Sequence, residues 1–292
     1  MLGSPVVEAV GQQAGMSPGC AARVRVRSGR RAFVKAVGAE LNADSVALFR
    51  HEADVLTRLP RAPRRPALIA AYDEQGWAAL VLEDVDGRHP NLANPVEAEL
   101  VWHTVERQCR ELTPPPDGLQ PGTVGDTLTR WLRRWTAVVE EPPPYVPDGI
   151  VRRFDPLSGR VATLPERVGE STLCHFDIRD DNLLIRPDGG VVVVDWGMTR
   201  LGPAWTDLFG SALEWVDTVE FDRRMGAAAE RFDASEDTVT DLLLLFAGAQ
   251  SWRGEQDPPP GLPTLPAFCR REAVRMWSGH ERHQPVGGAA DR

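Results

Sequence analysis

Between Cys174 and Gly197 the chain reads CHFDIRDDNLLIRPDGGVVVVDWG, and this stretch restricts the accessible folds more than any other. His175, Asp177 and Asn182 fall in the spacing H-x-D-x-x-x-x-N, a turn follows at Pro187-Asp188-Gly189-Gly190, and an apolar strand ends in Asp195-Trp196-Gly197. A Pro-Asp-Gly-Gly turn between two apolar runs reads as a short hairpin. The hairpin folds the chain back, so Asp195 is expected near Asn182 and Asp177. Three oxygen-bearing side chains then converge through local structure alone.

Phosphoryl transfer asks for such a set: a carboxylate that orients and deprotonates an attacking hydroxyl, and hard oxygen ligands that hold magnesium on the phosphates. Asn182 and Asp195 are the candidate magnesium ligands, which leaves Asp177 as the candidate catalytic base. Arg179 could place positive charge on the transferring phosphate. Its alternative is a salt bridge to Asp180 or Asp181.

A second signal lies far upstream. Of the 33 Lys and Arg residues only Lys35 is a lysine. A chain that has exchanged lysine for arginine wherever charge sufficed would keep a compact ammonium where the wide guanidinium fork does not fit, as at a phosphate. Chance survival is the plain alternative. Lys35 sits on the second of two strands expected over Ala21 to Arg27 and Arg31 to Val37, joined at Ser28-Gly29. A helix then runs to about Leu59, with Asn42, Asp44 and Ser45 as candidate caps and Val46, Phe49, Ala53, Leu56 and Leu59 as its apolar stripe. Glu52 falls within that stripe. A buried carboxylate needs a partner, and Lys35 is the natural one; otherwise Glu52 sits at the stripe's edge and reaches water.

Pro60 to Pro66 (PRAPRRP) breaks the helix, and Trp77 to Val85 reads as a strand leading to a connector at Asp86-Gly87. Helices are expected near Val96 to Leu112, Val124 to Glu140, Thr206 to Ala229, Ser235 to Ala249 and Pro266 to Gly279. Trp131 and Trp135, one turn apart, read as core. The balance of 33 basic against 42 acidic residues, a net charge of -9, argues against nucleic acid or an anionic membrane as partner and weakly favours a cationic ligand. Four scattered cysteines without C-x-x-C spacing suggest neither a zinc site nor a disulfide framework. The N-terminus has no basic region followed by a long apolar stretch, and the run Leu242 to Ala249 is too short to cross a bilayer. A cytoplasmic protein is expected.

The segment 174–197 resembles the catalytic loop of the aminoglycoside phosphotransferase and choline kinase family, relatives of the protein kinases, which reads H-G-D-x-x-x-x-N before a strand ending in a metal-binding Asp. The following Gly202-Pro203-Ala204-Trp205-Thr206-Asp207-Leu208 is similar to the family's G-D-P-A-x-D-L segment. Lys35 looks like the strand lysine on the α- and β-phosphates and Glu52 like its helix partner. The resemblance implies an α+β, bilobal protein-kinase-like fold. Its N-terminal antiparallel sheet lobe with one helix, 1–85, would bind nucleotide. A mainly helical C-terminal lobe, 86–284, would hold the catalytic loop and the substrate, with 285–292 as a flexible tail. It also implies ATP and Mg2+ as cofactors and a hydroxylated small molecule as acceptor. The backbone at Glu83 and Val85 would meet the adenine, Ser17 in Gly15-Met16-Ser17-Pro18-Gly19 would cover the phosphates, and His175 and Asp207 would brace the catalytic loop.

Phe176 departs from the family's Gly and from the Arg of protein kinases, and the loop at 15–19 is not G-x-G-x-x-G. A cationic acceptor such as an aminoglycoside or an amino alcohol fits the acidic balance and the residues Glu214, Asp217, Glu220 and Asp222 on a C-terminal helix, although charged helix positions are usually a solvated face, and neutral sugars, nucleosides and other hydroxylated metabolites stay open as acceptors. Two alternatives stand beside this reading. One is a nucleotide-binding regulator that has lost catalysis, against which the full chemical set argues. The other is a protein kinase, which the lack of an A-P-E segment after Asp195-Trp196-Gly197 disfavours.

Overall fold

The computed structural model describes residues 2–12 and 18–283, so Ser17 and the tail expected from 285 lie outside the described residues. The chain opens with β1 (Val6–Gly11), β2 (Cys20–Val26), β3 (Arg31–Gly38), α1 (Ala43–Arg58), β4 (Leu68–Glu74), β5 (Trp77–Leu82) and α2 (Pro95–Glu111). There follow α3 (Val124–Glu140), α4 (Asp148–Val151), α5 (Phe154–Ala162), α6 (Leu164–Arg167) and β6 (Thr172–Cys174). The short strands β7 (Leu183–Ile185), β8 (Val191–Val193) and β9 (Arg200–Gly202) come next, and the helices α7 (Thr206–Ala212), α8 (Val219–Phe232), α9 (Glu236–Gly254) and α10 (Leu265–Arg282) complete it. These elements group into two compact units: 1–121 with 175–200 and 259–263, and 122–174 with 201–258 and 264 onward. An N-terminal antiparallel sheet followed by a mainly helical part is the α+β architecture expected from the sequence.

In the first unit five antiparallel strands run in the order β1-β2-β3-β5-β4. Lys35 lies in the middle of this sheet, opposite Ala21 on one side and Leu80 on the other. Side chains alternate along a strand, so Phe33, Lys35 and Val37 share a face. The β2–β3 turn closes where Gly29 takes a φ of +89°, which an L side chain resists. Of the three candidate caps, Asn42 starts α1: its side chain accepts from the Ser45 N–H at 2.9 Å. The α1 stripe packs over β3, β4 and β5, with Val46, Phe49 and Leu56 buried and Glu52 among them. The strand expected to reach Val85 ends at Leu82. β1 and β4 were not anticipated; every residue of β1 is exposed, which erases the alternation that marks a strand.

In the second unit α9 packs against α3 and α10. Trp135 is buried with its indole N–H on Ser158 Oγ at 2.8 Å, and Trp131 stacks on Phe246 with ring centroids 4.7 Å apart. Trp135 is core, as read from the spacing, whereas Trp131 is only partly buried. The helix expected over Thr206 to Ala229 is interrupted: α7 ends at Ala212, a 3-10 turn spans Leu213–Trp215, and Thr218 in extended backbone caps α8. Glu214, Asp217, Glu220 and Asp222 therefore do not share one helix face. Asp217 pairs with Arg275 at 3.5 Å, Glu220 with Arg223 at 2.6 Å and Arg224 at 2.7 Å, and Asp222 with Arg282. Their charge is largely answered by the protein's own arginines. Among the described residues no helix is long and apolar enough to cross a membrane.

Gly248 on α9 faces Trp135, and a Cβ there would stand 2.6 Å from the ring carbon Cε3. Replacing a helical glycine with alanine normally stabilises by about 1 kcal/mol. Here overpacking reverses the sign, and Gly248→Ala is expected to lower the unfolding free energy by about 1–2 kcal/mol in urea denaturation. Equal or greater stability would show that the α3–α9 contact yields.

Candidate active site

The catalytic-loop segment folds as its sequence implies. β7 and β8 pair with Leu183 opposite Val193 and Ile185 opposite Val191. The turn between them is closed by Gly189 at φ +86° and by Asp188 Oδ1 accepting the Gly190 N–H at 2.9 Å. One further bond, Val194 N–H to Asn182 O at 2.9 Å, seats Asp195 beside Asn182. The Asn182 amide donates both to the backbone oxygen and to Oδ2 of Asp177, each at 2.9 Å. With its nitrogen so committed, Asn182 presents Oδ1 as its free oxygen.

His175 is fully buried and organises the loop from beneath. Its Nδ1 accepts the Asp177 N–H at 3.3 Å, so Nε2 carries the proton and donates to Val194 O at 2.9 Å. The ring also stands edge-on to Trp196 with centroids 4.9 Å apart. Between His175 and Asp177 the backbone turns through a left-handed residue, Phe176 at φ +67°. A glycine would take that conformation freely; a side chain costs about 1–2 kcal/mol there. Phe176 holds this conformation at the cost of that strain.

Lys35 ties the sheet to this loop. Its ammonium pairs with Glu52 on α1 and donates to Asp195 Oδ1 at 2.8 Å, while the Phe49 ring lies 4.8 Å away. One cation thus serves two carboxylates, and the cluster is short of positive charge. Burial alone would lower the Lys35 pKa, but Glu52 and Asp195 together raise it above its ordinary value. Burial also lifts Asp195, yet Lys35 outweighs it and holds this carboxyl below the usual range. Glu52 has no exposed surface, and burial, aided by the charge of Asp195, pushes it up to about 7 against the pull of Lys35. Burial likewise raises Asp177, opposed by the Arg179 guanidinium.

A cleft of about 440 Å3 opens over this cluster. Phe33, Leu82, Leu184 and Val194 supply apolar walls, and Lys35, Asn182 and Asp195 a polar end. Glu83 and Val85 also line it. The Glu83 N–H is committed to Ala67 O at 2.8 Å, and its carboxylate holds Arg186 at 2.9 Å. Arg179 is gripped by Asp181, with Nε on Oδ1 at 3.0 Å, which is the salt-bridge alternative raised above. Asp207 is buried in the first turn of α7, in the second unit.

The structure therefore brings Lys35, Glu52, Asp177, Asn182 and Asp195 together. Sequence reasoning missed the walls of the cleft, although Leu184 and Val194 could have been found from strand alternation in the hairpin. It also missed His89, which lines the cleft with Nδ1 3.0 Å from Leu183 O, and no sequence signal marks that residue.

The Glu52 shift has a sign that can be measured. A carboxyl raised from 4.5 to about 7 favours the folded state fully below pH 4.5 and loses that contribution as pH rises to about 7. Glu52→Gln removes this titration. The stability of the parent relative to the variant is expected to fall by about 3 kcal/mol across that window, measured as denaturation midpoints against pH. A difference that stays flat would rule out a raised Glu52.

A sequence profile described as phosphotransferase enzyme family matches residues 17–242. Among curated proteins no sequence matches. Similar solved structures include a thermostable mutant of an aminoglycoside phosphotransferase in ternary complex with ADP and hygromycin B, 13% identical with a TM-score of 0.62 over 98% of this chain and 96% of that one. The choline kinase LicA from Streptococcus pneumoniae is 14% identical with a TM-score of 0.61, covering 94% of each chain. An AMP-bound spectinomycin phosphotransferase is 13% identical with a TM-score of 0.54 over 97% of this chain and 92% of that one. The fold is thus that of the kinase-like phosphotransferases.

Proposed function

Since the chain belongs to the phosphotransferase enzyme family, making it a small-molecule kinase, we propose that it moves the γ-phosphate of ATP to a hydroxyl of an aminoglycoside or an amino alcohol. The observation that carries this reading is the shared ammonium of Lys35, bonded to Glu52 and Asp195, beside an Asp177 whose carboxylate is fixed by the Asn182 amide. A module that only binds nucleotide has no need of a positioned Asp177. Neighbours of the same fold crystallised with ADP or AMP support a nucleotide in the cleft, and hygromycin B in one of them supports a small hydroxylated acceptor. In this reading residues 1–85 are the nucleotide-binding lobe and 86–284 the catalytic and acceptor lobe.

Lys35 would meet the α- and β-phosphates, the backbone at Glu83 and Val85 the adenine, and Ser17 would contact the phosphates. The residues present fit magnesium. Asn182 Oδ1 and the Asp195 oxygen not engaged by Lys35 are hard ligands, and magnesium is commonly held by one or two protein oxygens with phosphates and water completing its shell. Among the described residues no group of three or more His, Cys, Asp or Glu side chains could hold a metal without such help. When bound, magnesium neutralises charge on the phosphates. Asp177, lifted by burial, accepts the proton of the attacking hydroxyl. Arg179, anchored by Asp181, supplies positive potential next to it. Four free thiols, three of them buried, together with the use of ATP support a cytoplasmic setting for this reading.

The test is incubation with magnesium and γ-labelled ATP over a panel of aminoglycosides, amino alcohols, sugars and nucleosides. Label is expected on one acceptor class, and Asp177→Asn should cut turnover by about 10^2 to 10^4-fold while leaving nucleotide binding intact. Full turnover by Asp177→Asn would sink the assignment of the base. ATP binding without transfer to any acceptor would favour the regulator.

A further inference from the structure

A second cleft, of about 490 Å3, lies in the first unit between the C-terminal end of α1, the loop 60–66 and the start of β4. Its walls include Leu56, Leu59, Pro60 and Leu68. Into this apolar setting the chain places a guanidinium. Arg65 lines the cleft, is 8% exposed, and its Nε and Nη1 are buried with no hydrogen-bond partner. Such an arrangement is costly: guanidinium does not deprotonate in proteins, so a buried one cannot escape its desolvation by becoming neutral.

The groups around Arg65 do not answer its charge. Glu111 acts on it through space but is ion-paired to Arg64, and burial outweighs that attraction to pull the Arg65 pKa down. The carboxylate of Glu83, which shares the cleft, accepts from Arg186 and from the Ala67 N–H. The face of Trp196, 5.4 Å from the guanidinium carbon, offers cation–π attraction, which satisfies no N–H. Arg61, exposed at the cleft, adds a second cation. A space rimmed by two arginines, one of them unpaired, is complementary to an anion.

We propose that this cleft binds a small organic carboxylate whose two oxygens accept from the Arg65 fork and whose apolar body rests on the leucines and prolines. One planar fork in an apolar pocket matches a planar monoanion. A phosphate dianion would ask for more donors than the walls supply. The site also touches the catalytic segment. Arg65 covers Trp196, the residue after Asp195, the Arg64 carbonyl accepts the Val193 N–H at 2.8 Å, and Pro66 and Glu83 border both clefts. An occupant would therefore bias the setting of Asp195. That consequence rests on the phosphotransfer reading, whereas the binding itself does not.

The experiment reads binding without turnover. The full chain is melted with phenylacetate, with the neutral analogue 2-phenylethanol, and with inorganic phosphate, all at matched ionic strength, alongside Arg65→Met and Arg65→Lys. Phenylacetate is expected to raise Tm saturably by about 3 °C at roughly ten times its Kd. The shift should vanish in Arg65→Met and need roughly tenfold more ligand in Arg65→Lys, which keeps the charge and loses the fork. An equal shift in Arg65→Met, an equal shift with phenylethanol, a response to phosphate alone, or no shift would each overturn the proposal. Should Arg65→Met not fold, Arg65→Lys and calorimetric titration of the parent decide it. Phosphate transfer unaffected by a ligand that does bind would remove only the coupling.

Discussion

A single ammonium placed between two carboxylates is the constraint on which the rest of the first unit depends. Lys35 stands on the central strand of the sheet, Glu52 on the helix that packs over it, and Asp195 at the end of the hairpin that follows the catalytic loop. Each comes from a different part of the chain, and none is comfortable alone. Buried charge without a partner costs several kcal/mol, so the positions of strand, helix and hairpin are mutually enforced. The same requirement sets the pKa pattern: with two carboxylates competing for one cation, the more buried Glu52 is pushed up and Asp195 held down.

The catalytic loop gains its rigidity in a different way. His175 has no exposed surface and bonds to two backbone groups, one in the loop and one on the returning strand. Asn182 repeats the device with its side-chain amide. His175 accepts from the Asp177 N–H and donates to Val194 O, Asn182 donates twice to Asp177, and the Asn182 side chain keeps its oxygen. The cleft above is polar at one end, where Lys35, Asn182 and Asp195 meet, and apolar along its walls.

Much of this was legible because the decisive contacts are local. The 174–197 segment encodes its own hairpin through Pro187-Asp188-Gly189-Gly190, and the Asn42 cap and α1 stripe follow from short-range rules. Lys35 stood out by composition, and Glu52 by being charged where its neighbours are apolar. What was not legible depends on distant partners. β1 is exposed along its length and owes its existence to β2, so its own pattern carries no period. The break before Val219 comes from a threonine cap within a stretch that otherwise reads as helix. The arginines that take up Asp217, Glu220 and Asp222 lie partly on another helix, so the apparent acidic face was a property of the sequence and not of the folded surface. Arg65, in an arginine-rich loop, carries no sequence mark of its burial.

The lone lysine has a practical corollary. Apart from the chain's α-amino group, an amine-directed acylating reagent finds one target here, and that target is 7% exposed at the polar end of the cleft and held by two carboxylates. Acylation at Lys35, read on the peptide that carries it so that the α-amino group is counted apart, then becomes a direct gauge of how often the Lys35 clamp opens and of whether anything sits over it.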